Sequence, residues 1–223
     1  MKMELEEVLP SQIEARSFAI IAEELAERGI VLDPEKDPII RRCIHTTADF
    51  EYAERLVFSE QAVELGKQAL KRGAHIVTDT NMGWSGVNKK ALEKLGGQAY
   101  CFMADADVAE RAKENGTTRA VASVDKMARL YGSGGEREGT PLIFAVGNAP
   151  TALVRLYELI NERKIAPALV IGVPVGFVNV VQSKEWIISL PNTPFIVARG
   201  RKGGSNVAAC ICNALLYACG ARM

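Results

Sequence analysis

The sequence predicts an α/β protein built on one parallel sheet. Five short apolar runs, residues 74–78, 99–103, 142–146, 168–173 and 194–198, lack the in–out alternation of a half-exposed strand. Each is followed by small or polar residues and then by a helical pattern. The chain has 223 residues, 48% of them hydrophobic, and is long enough to bury one large core. Continuous apolar strands separated by helices fit a five-stranded parallel sheet covered on both faces. No internal repeat or linker divides the chain, so residues 1–223 read as a single domain.

Two helical patterns precede the first strand, residues 11–28 and 38–50, with Pro34 and Pro38 marking the loop between them. A third, residues 59–72, leads into the strand. In the second helix Ile39, Ile40, Cys43, Ile44 and Thr47 form a core stripe. At about 100° per residue, His45 points away from that stripe, beside Arg41 and Tyr52. It faces water, a ligand or another subunit. A solvated surface histidine has the same spacing, but the chain holds only two histidines, and imidazole is the natural proton donor near neutral pH. The other, His75, is isolated in the first apolar run.

In open parallel sheets, ligands gather beyond the carboxyl ends of the strands. The first strand runs into Asp79-Thr80-Asn81-Met82-Gly83, the second into Ala104-Asp105-Ala106-Asp107. A helix then opens at Thr117-Thr118-Arg119. Thr117 is its expected cap, and Arg119, set against the helix dipole, suits an anionic ligand, although most such arginines are simply solvated. Residues 132–139, rich in glycine, form a flexible surface loop before the third strand. That strand ends in Gly147-Asn148-Ala149-Pro150-Thr151, where Asn148 suits a helix cap and Pro150 the first helical turn. The fourth ends in Gly172-Val173-Pro174-Val175-Gly176-Phe177. The fifth ends in Gly200-Arg201-Lys202-Gly203-Gly204-Ser205-Asn206, which opens the last helix. Glycines and unpaired N–H groups at a helix start suit an anion, a carboxylate as well as a phosphate. An ordinary strand-to-helix turn with a solvated basic pair has the same wording.

Composition excludes several classes. Lysine plus arginine and aspartate plus glutamate both number 27, so there is no electrostatic footprint for nucleic acid. No apolar run has the length of a membrane span. Residues 1–10 lack the pattern of a secretory signal, which makes a cytoplasmic location the expectation. The five cysteines fit a reducing compartment. Cys210 and Cys212 lie about 200° apart on a helix and cannot share a metal, so no metal site is expected. Neither a Walker A loop nor a GxGxxG fingerprint is present, which argues against a dinucleotide cofactor.

Taken together, the segments Ile13-Glu14-Ala15-Arg16-Ser17-Phe18, Ile44-His45-Thr46-Thr47-Ala48-Asp49-Phe50, Thr78-Asp79-Thr80-Asn81-Met82 and the three later strand-end loops resemble the precorrin-8X methylmutases, isomerases of corrin (vitamin B12) biosynthesis. The wording around His45 and the Gly-Arg-Lys-Gly-Gly-Ser-Asn loop is closer to the cobalt-precorrin-8 enzymes of the anaerobic route. The resemblance implies a single-domain, flavodoxin-like three-layer α/β/α fold. It also implies a homodimer with sites near the subunit interface, and migration of a methyl group from C-11 to C-12 of the macrocycle by a 1,5-sigmatropic shift, giving cobyrinate or hydrogenobyrinate. The family's acid–base histidine falls on His45, its substrate-contacting serine on Ser17, its site arginine on Arg119, and a further polar residue near Asn88. The expected substrate contacts are therefore Ser17, Asn88 and Arg119 with the strand-end residues Thr80, Asn148, Gly176, Lys202, Gly203, Gly204 and Ser205. An intramolecular shift needs protonation, positioning and exclusion of water, and no cofactor is expected. Two other readings remain open here: a non-catalytic corrinoid carrier, and a flavodoxin-like nucleotide-binding or phosphotransfer module. A product held after turnover would unite enzyme and carrier, with hand-over to the next pathway enzyme.

Overall fold

The computed structural model describes residues 6–221, so the first five residues of the acidic N-terminal segment lie outside it. Its sheet has six strands: β1 (Leu56–Phe58), β2 (His75–Thr78), β3 (Ala99–Tyr100), β4 (Leu142–Val146), β5 (Leu169–Gly172) and β6 (Phe195–Ala198). They lie in the order β1-β6-β5-β4-β2-β3. All pairings are parallel except β1 with β6. The five parallel strands, taken in chain order, are arranged 2-1-3-4-5, the flavodoxin-like winding. The five apolar runs are these five strands. β1 corrects the expected count: three residues on an antiparallel edge are too few to show a period.

Side chains alternate between two cores. On one face Ile76, Ile143, Ile171 and Ile196 meet helices α1 (Ile13–Glu27), α2 (Asp37–Thr47), α4 (Ala62–Lys71), α6 (Lys89–Lys94) and α11 (Ser205–Ala218). On the other, Val77, Phe144, Val170 and Val197 meet α7 (Ala106–Glu114), α8 (Arg119–Tyr131), α9 (Pro150–Asn161) and α10 (Val180–Ile188). Short helices α3 (Tyr52–Arg55) and α5 (Asn81–Gly86) and a 3-10 turn at Pro10–Gln12 complete the described elements. The glycine-rich stretch is a largely exposed loop between α8 and β4. Cys43, Cys210 and Cys212 are buried thiols.

Helix α2 is shorter than its apolar spacing predicts. It stops at Ala48, which takes a left-handed conformation (φ 53°) and returns its N–H to the Ile44 carbonyl. Extrapolating 100° per residue past that point fails. Tyr52, expected beside His45, instead opens α3 and is buried.

The sheet's switch point lies between β2 and β4, and a carboxylate closes it. Asp79 follows β2 and is 3% exposed. Its Oδ1 accepts from the Gly147 N–H at 2.9 Å, and its Oδ2 from the N–H groups of Asn148 and Ala149 at 2.8 and 2.7 Å. Asn148 therefore does not cap α9 with its own side chain, as its position had suggested. Residue 149 occupies the cap position, and the turn is satisfied by Asp79 from across the sheet. Burial pushes the Asp79 carboxyl above its ordinary value, while the three N–H donors oppose that shift. In Asp79→Asn the side-chain amide must turn its NH2 toward at least one of those donors. A lost stability of about 1–3 kcal/mol is expected, read from the urea midpoint. An unchanged midpoint would mean that desolvating the carboxylate cancels what its hydrogen bonds contribute.

Candidate active site

His45 lies in the last turn of α2 and is exposed. Its ring stacks on Phe18 of α1, with centroids 5.2 Å apart and planes 20° from parallel. Ser17 lines the same cleft, a hollow of about 310 Å³ with Ile20, Ile21, Ile44 and Phe50. The Ser17 hydroxyl donates to the Ile13 carbonyl at 2.9 Å and keeps acceptor capacity on its oxygen. The cleft's carboxylate, Glu24, is engaged by Arg28 at 3.2 Å. The imidazole is thus oriented by stacking, and neither ring nitrogen has a partner among the described residues. That is a usable arrangement for passing a proton to a bound molecule. The second histidine, His75, shares a hydrogen bond with the Tyr131 hydroxyl (2.9 Å), and burial lowers its pKa. It has no place in this cleft.

The turn after α2 is tied to the far end of the sequence. Lys202 Nζ reaches Asp49 Oδ2 at 2.6 Å and Glu51 Oε1 at 2.8 Å. Its hydrogen bond holds the Asp49 carboxyl below the ordinary range. Lys202, an expected substrate contact, is here paired with two carboxylates that the turn places within its reach. The side chain acts as a strap between the loop after β6 and the helix that carries His45.

The carboxyl-edge loops pack backbone against backbone. Gly204 N–H donates to the Val173 carbonyl (2.9 Å), and Gly176 N–H to the Arg201 carbonyl (3.2 Å). Gly203 has a φ of 157°, and a β-carbon there would collide with the Val173 carbonyl. At Gly147 a β-carbon would meet the Ser205 backbone. Thr80 caps α5, accepting from Gly83 N–H at 3.0 Å, and shares a hydrogen bond with the Ser205 hydroxyl at 2.8 Å. Asn88 caps α6, accepting from Ala91 N–H at 3.1 Å, and is held by Asn213 and Tyr217 of α11. Asn148 is exposed on this edge. On the segments that follow β2 and β5, Met82, Phe177 and Val178 are 71%, 79% and 78% exposed and present apolar surface. Arg201 lies over the Phe177 ring at 5.3 Å.

Arg119 is the first residue of α8 and is exposed, with no ion pair among the described residues. The helix is capped by Thr118, whose hydroxyl accepts from Val121 N–H at 3.2 Å, and not by Thr117. Thr118 also contacts Thr151 of α9 at 3.3 Å, which places Arg119 on the carboxyl side of the sheet. Arg119 lines a hollow of about 490 Å³ with Glu110, Lys113 and Thr117, separate from the His45 cleft. Two further hollows, about 560 and 680 Å³, share Gly132, Ser133, Arg163 and Lys164. They touch none of the expected site residues, and the larger lies by the amino ends of the strands, away from the usual ligand edge.

Known proteins bear on this geometry. A family model described as precorrin-8X methylmutase matches residues 12–218. The cobalt-precorrin-8 methylmutase of Priestia megaterium is 43% identical over 208 residues, 93% of this chain and 88% of that protein. That of Salmonella typhimurium is 44% identical over 211 residues, 93% and 95% of the two chains. A crystal structure of precorrin-8x methyl mutase from Thermus thermophilus superimposes with a TM-score of 0.80 at 37% identity, covering 94% of this chain and 98% of its own. A family match over nearly the whole length, relatives of this identity and the same winding of the sheet lead to one conclusion: the chain belongs to the precorrin-8X methylmutase family.

Proposed function

We propose that the chain is a cobalt-precorrin-8 methylmutase that moves the methyl group from C-11 to C-12 of the corrin macrocycle, with His45 as proton donor. The observation that carries this reading is the exposed His45 imidazole, stacked on Phe18 beside Ser17, with no partner on either nitrogen among the described residues. In the shift, the bond from the methyl carbon to C-11 breaks as the bond to C-12 forms, and the conjugated electrons relocate. Protonation of a ring nitrogen by His45 draws electron density from the conjugated system and lowers the barrier. Arg119 and the loop after β6 hold peripheral carboxylates, and Met82, Phe177 and Val178 face the macrocycle's apolar plane. Orientation from such remote contacts supplies part of the rate.

A nucleotide or phosphotransfer role fits less well. At the switch point a phosphate would meet the Asp79 carboxylate, and that carboxylate is buried and fixed by three N–H groups, so it is not an accessible phosphoacceptor.

In one copy, His45 and Arg119 border different hollows. A second copy supplies the missing wall, and α1 offers it apolar surface beside the cleft through Ile13 and Ile20. The reading is therefore a homodimer with composite sites. Symmetric dimers are the commonest soluble assembly.

The His45→Ala variant is expected to lose about 10²–10⁴-fold in turnover while still binding corrinoid. Near-normal turnover would remove His45 from the chemistry, and binding without any wild-type turnover would favour a carrier. Arg119→Ala is expected to weaken substrate binding about tenfold, with less salt sensitivity left in the remainder. The check is a peripherally amidated substrate: if it shows the same loss as the free acid, Arg119 does not meet a carboxylate. Sedimentation at micromolar concentration should give about twice the 24.2 kDa chain mass. A fully active monomer would rule out the composite site.

A further inference from the structure

Lys184 of α10 is 0% exposed, yet no carboxylate among the described residues pairs with it. Its Nζ donates to the carbonyls of Gly200 and Lys202, both at 2.8 Å. Burial pulls its pKa down to about 8, so it stays mainly charged at neutral pH. A buried ammonium with only neutral partners is costly, and an apolar side chain would fill the same space without that cost. What the cation accomplishes is visible in the loop.

The described peptide bonds are all trans. In a trans peptide the carbonyl and the N–H of one unit point in opposite directions. Fixing the Gly200 and Lys202 carbonyls on Nζ therefore turns the N–H groups of Arg201 and Gly203 away from the buried ammonium. The carbonyl between them, that of Arg201, is taken by Gly176 N–H. Among the described residues, no acceptor meets the N–H groups of Arg201, Lys202 or Gly203. Arg201 is exposed and Gly203 partly so. Unpaired donors on a loop whose carbonyls are tied down, directed away from a buried cation, suit a carboxylate.

We infer that Lys184 is a positioning residue that never touches substrate but presents the Arg201 and Gly203 N–H groups to a peripheral carboxylate of the macrocycle. This rests on the function proposed above and adds a residue that acts from beneath the loop.

Two measurements test it. Lys184→Met keeps the shape and removes both donors. With cobalt-precorrin-8 as substrate, its KM is expected to rise about tenfold or more while kcat stays within about threefold. A purely structural lysine would lower the unfolding midpoint and leave KM unchanged, and that result in the folded variant overturns the inference. The second measurement uses the unaltered chain, and decides alone if the variant does not fold. Amides 201 and 203 should exchange rapidly in the free chain and about tenfold or more slowly when saturated with the product cobyrinate. Amides left unprotected at saturation overturn the inference while the proposed activity stands. A wild-type chain that neither converts the substrate nor binds the product removes both.

Discussion

The Asp79 carboxylate is the constraint on which the carboxyl edge depends. It sits where the winding of the sheet reverses, and three backbone N–H groups of the turn before α9 converge on it. In flavodoxins, which share this winding, the same crevice binds a nucleotide cofactor. Here the protein's own anion fills the anion site. The candidate site proposed above accordingly lies outside that crevice, on the loops after β5 and β6 and in the cleft between α1 and α2.

Much of the fold was legible in the sequence because the central strands are covered on both sides and read as unbroken apolar runs. The run at residues 142–146 coincides with β4, and three of the others are within one residue of their strands at each end. β3 is shorter than its run. β1 was invisible because three residues at an edge carry no period. The end of α2 was hidden for a different reason: alanine rarely takes the left-handed conformation that Ala48 adopts, so no Gly or Asn marks the stop.

The site was legible in its residue types and less so in its partnerships. The outward orientation of His45 followed from spacing alone, because only local helix geometry was needed. Lys202 and Asp49, by contrast, are 153 positions apart in sequence, and their pairing is a tertiary fact. Asn148 looked like a cap because local reading cannot see Asp79. Lys184 was missed because a lysine in a helix normally marks its solvated face. The glycines of the loop after β6 suggest room for a ligand, yet a β-carbon at Gly203 would meet the Val173 carbonyl, and one at Gly147 the Ser205 backbone, so both make room for the protein's own backbone. The loops around the site are for that reason closely interlocked.

Both margins of the sheet end in very short strands, three residues in β1 and two in β3. An edge of that length offers few unpaired backbone groups on which another chain can lengthen the sheet. The parallel core is thus protected from strand-by-strand accretion, a hazard of slow-folding, apolar parallel sheets. The same brevity bears on the proposed homodimer. A dimer built by extending the sheet would have little purchase on such edges, so a proposed interface formed by side chains on helices and loops could vary without disturbing the hydrogen-bonded core.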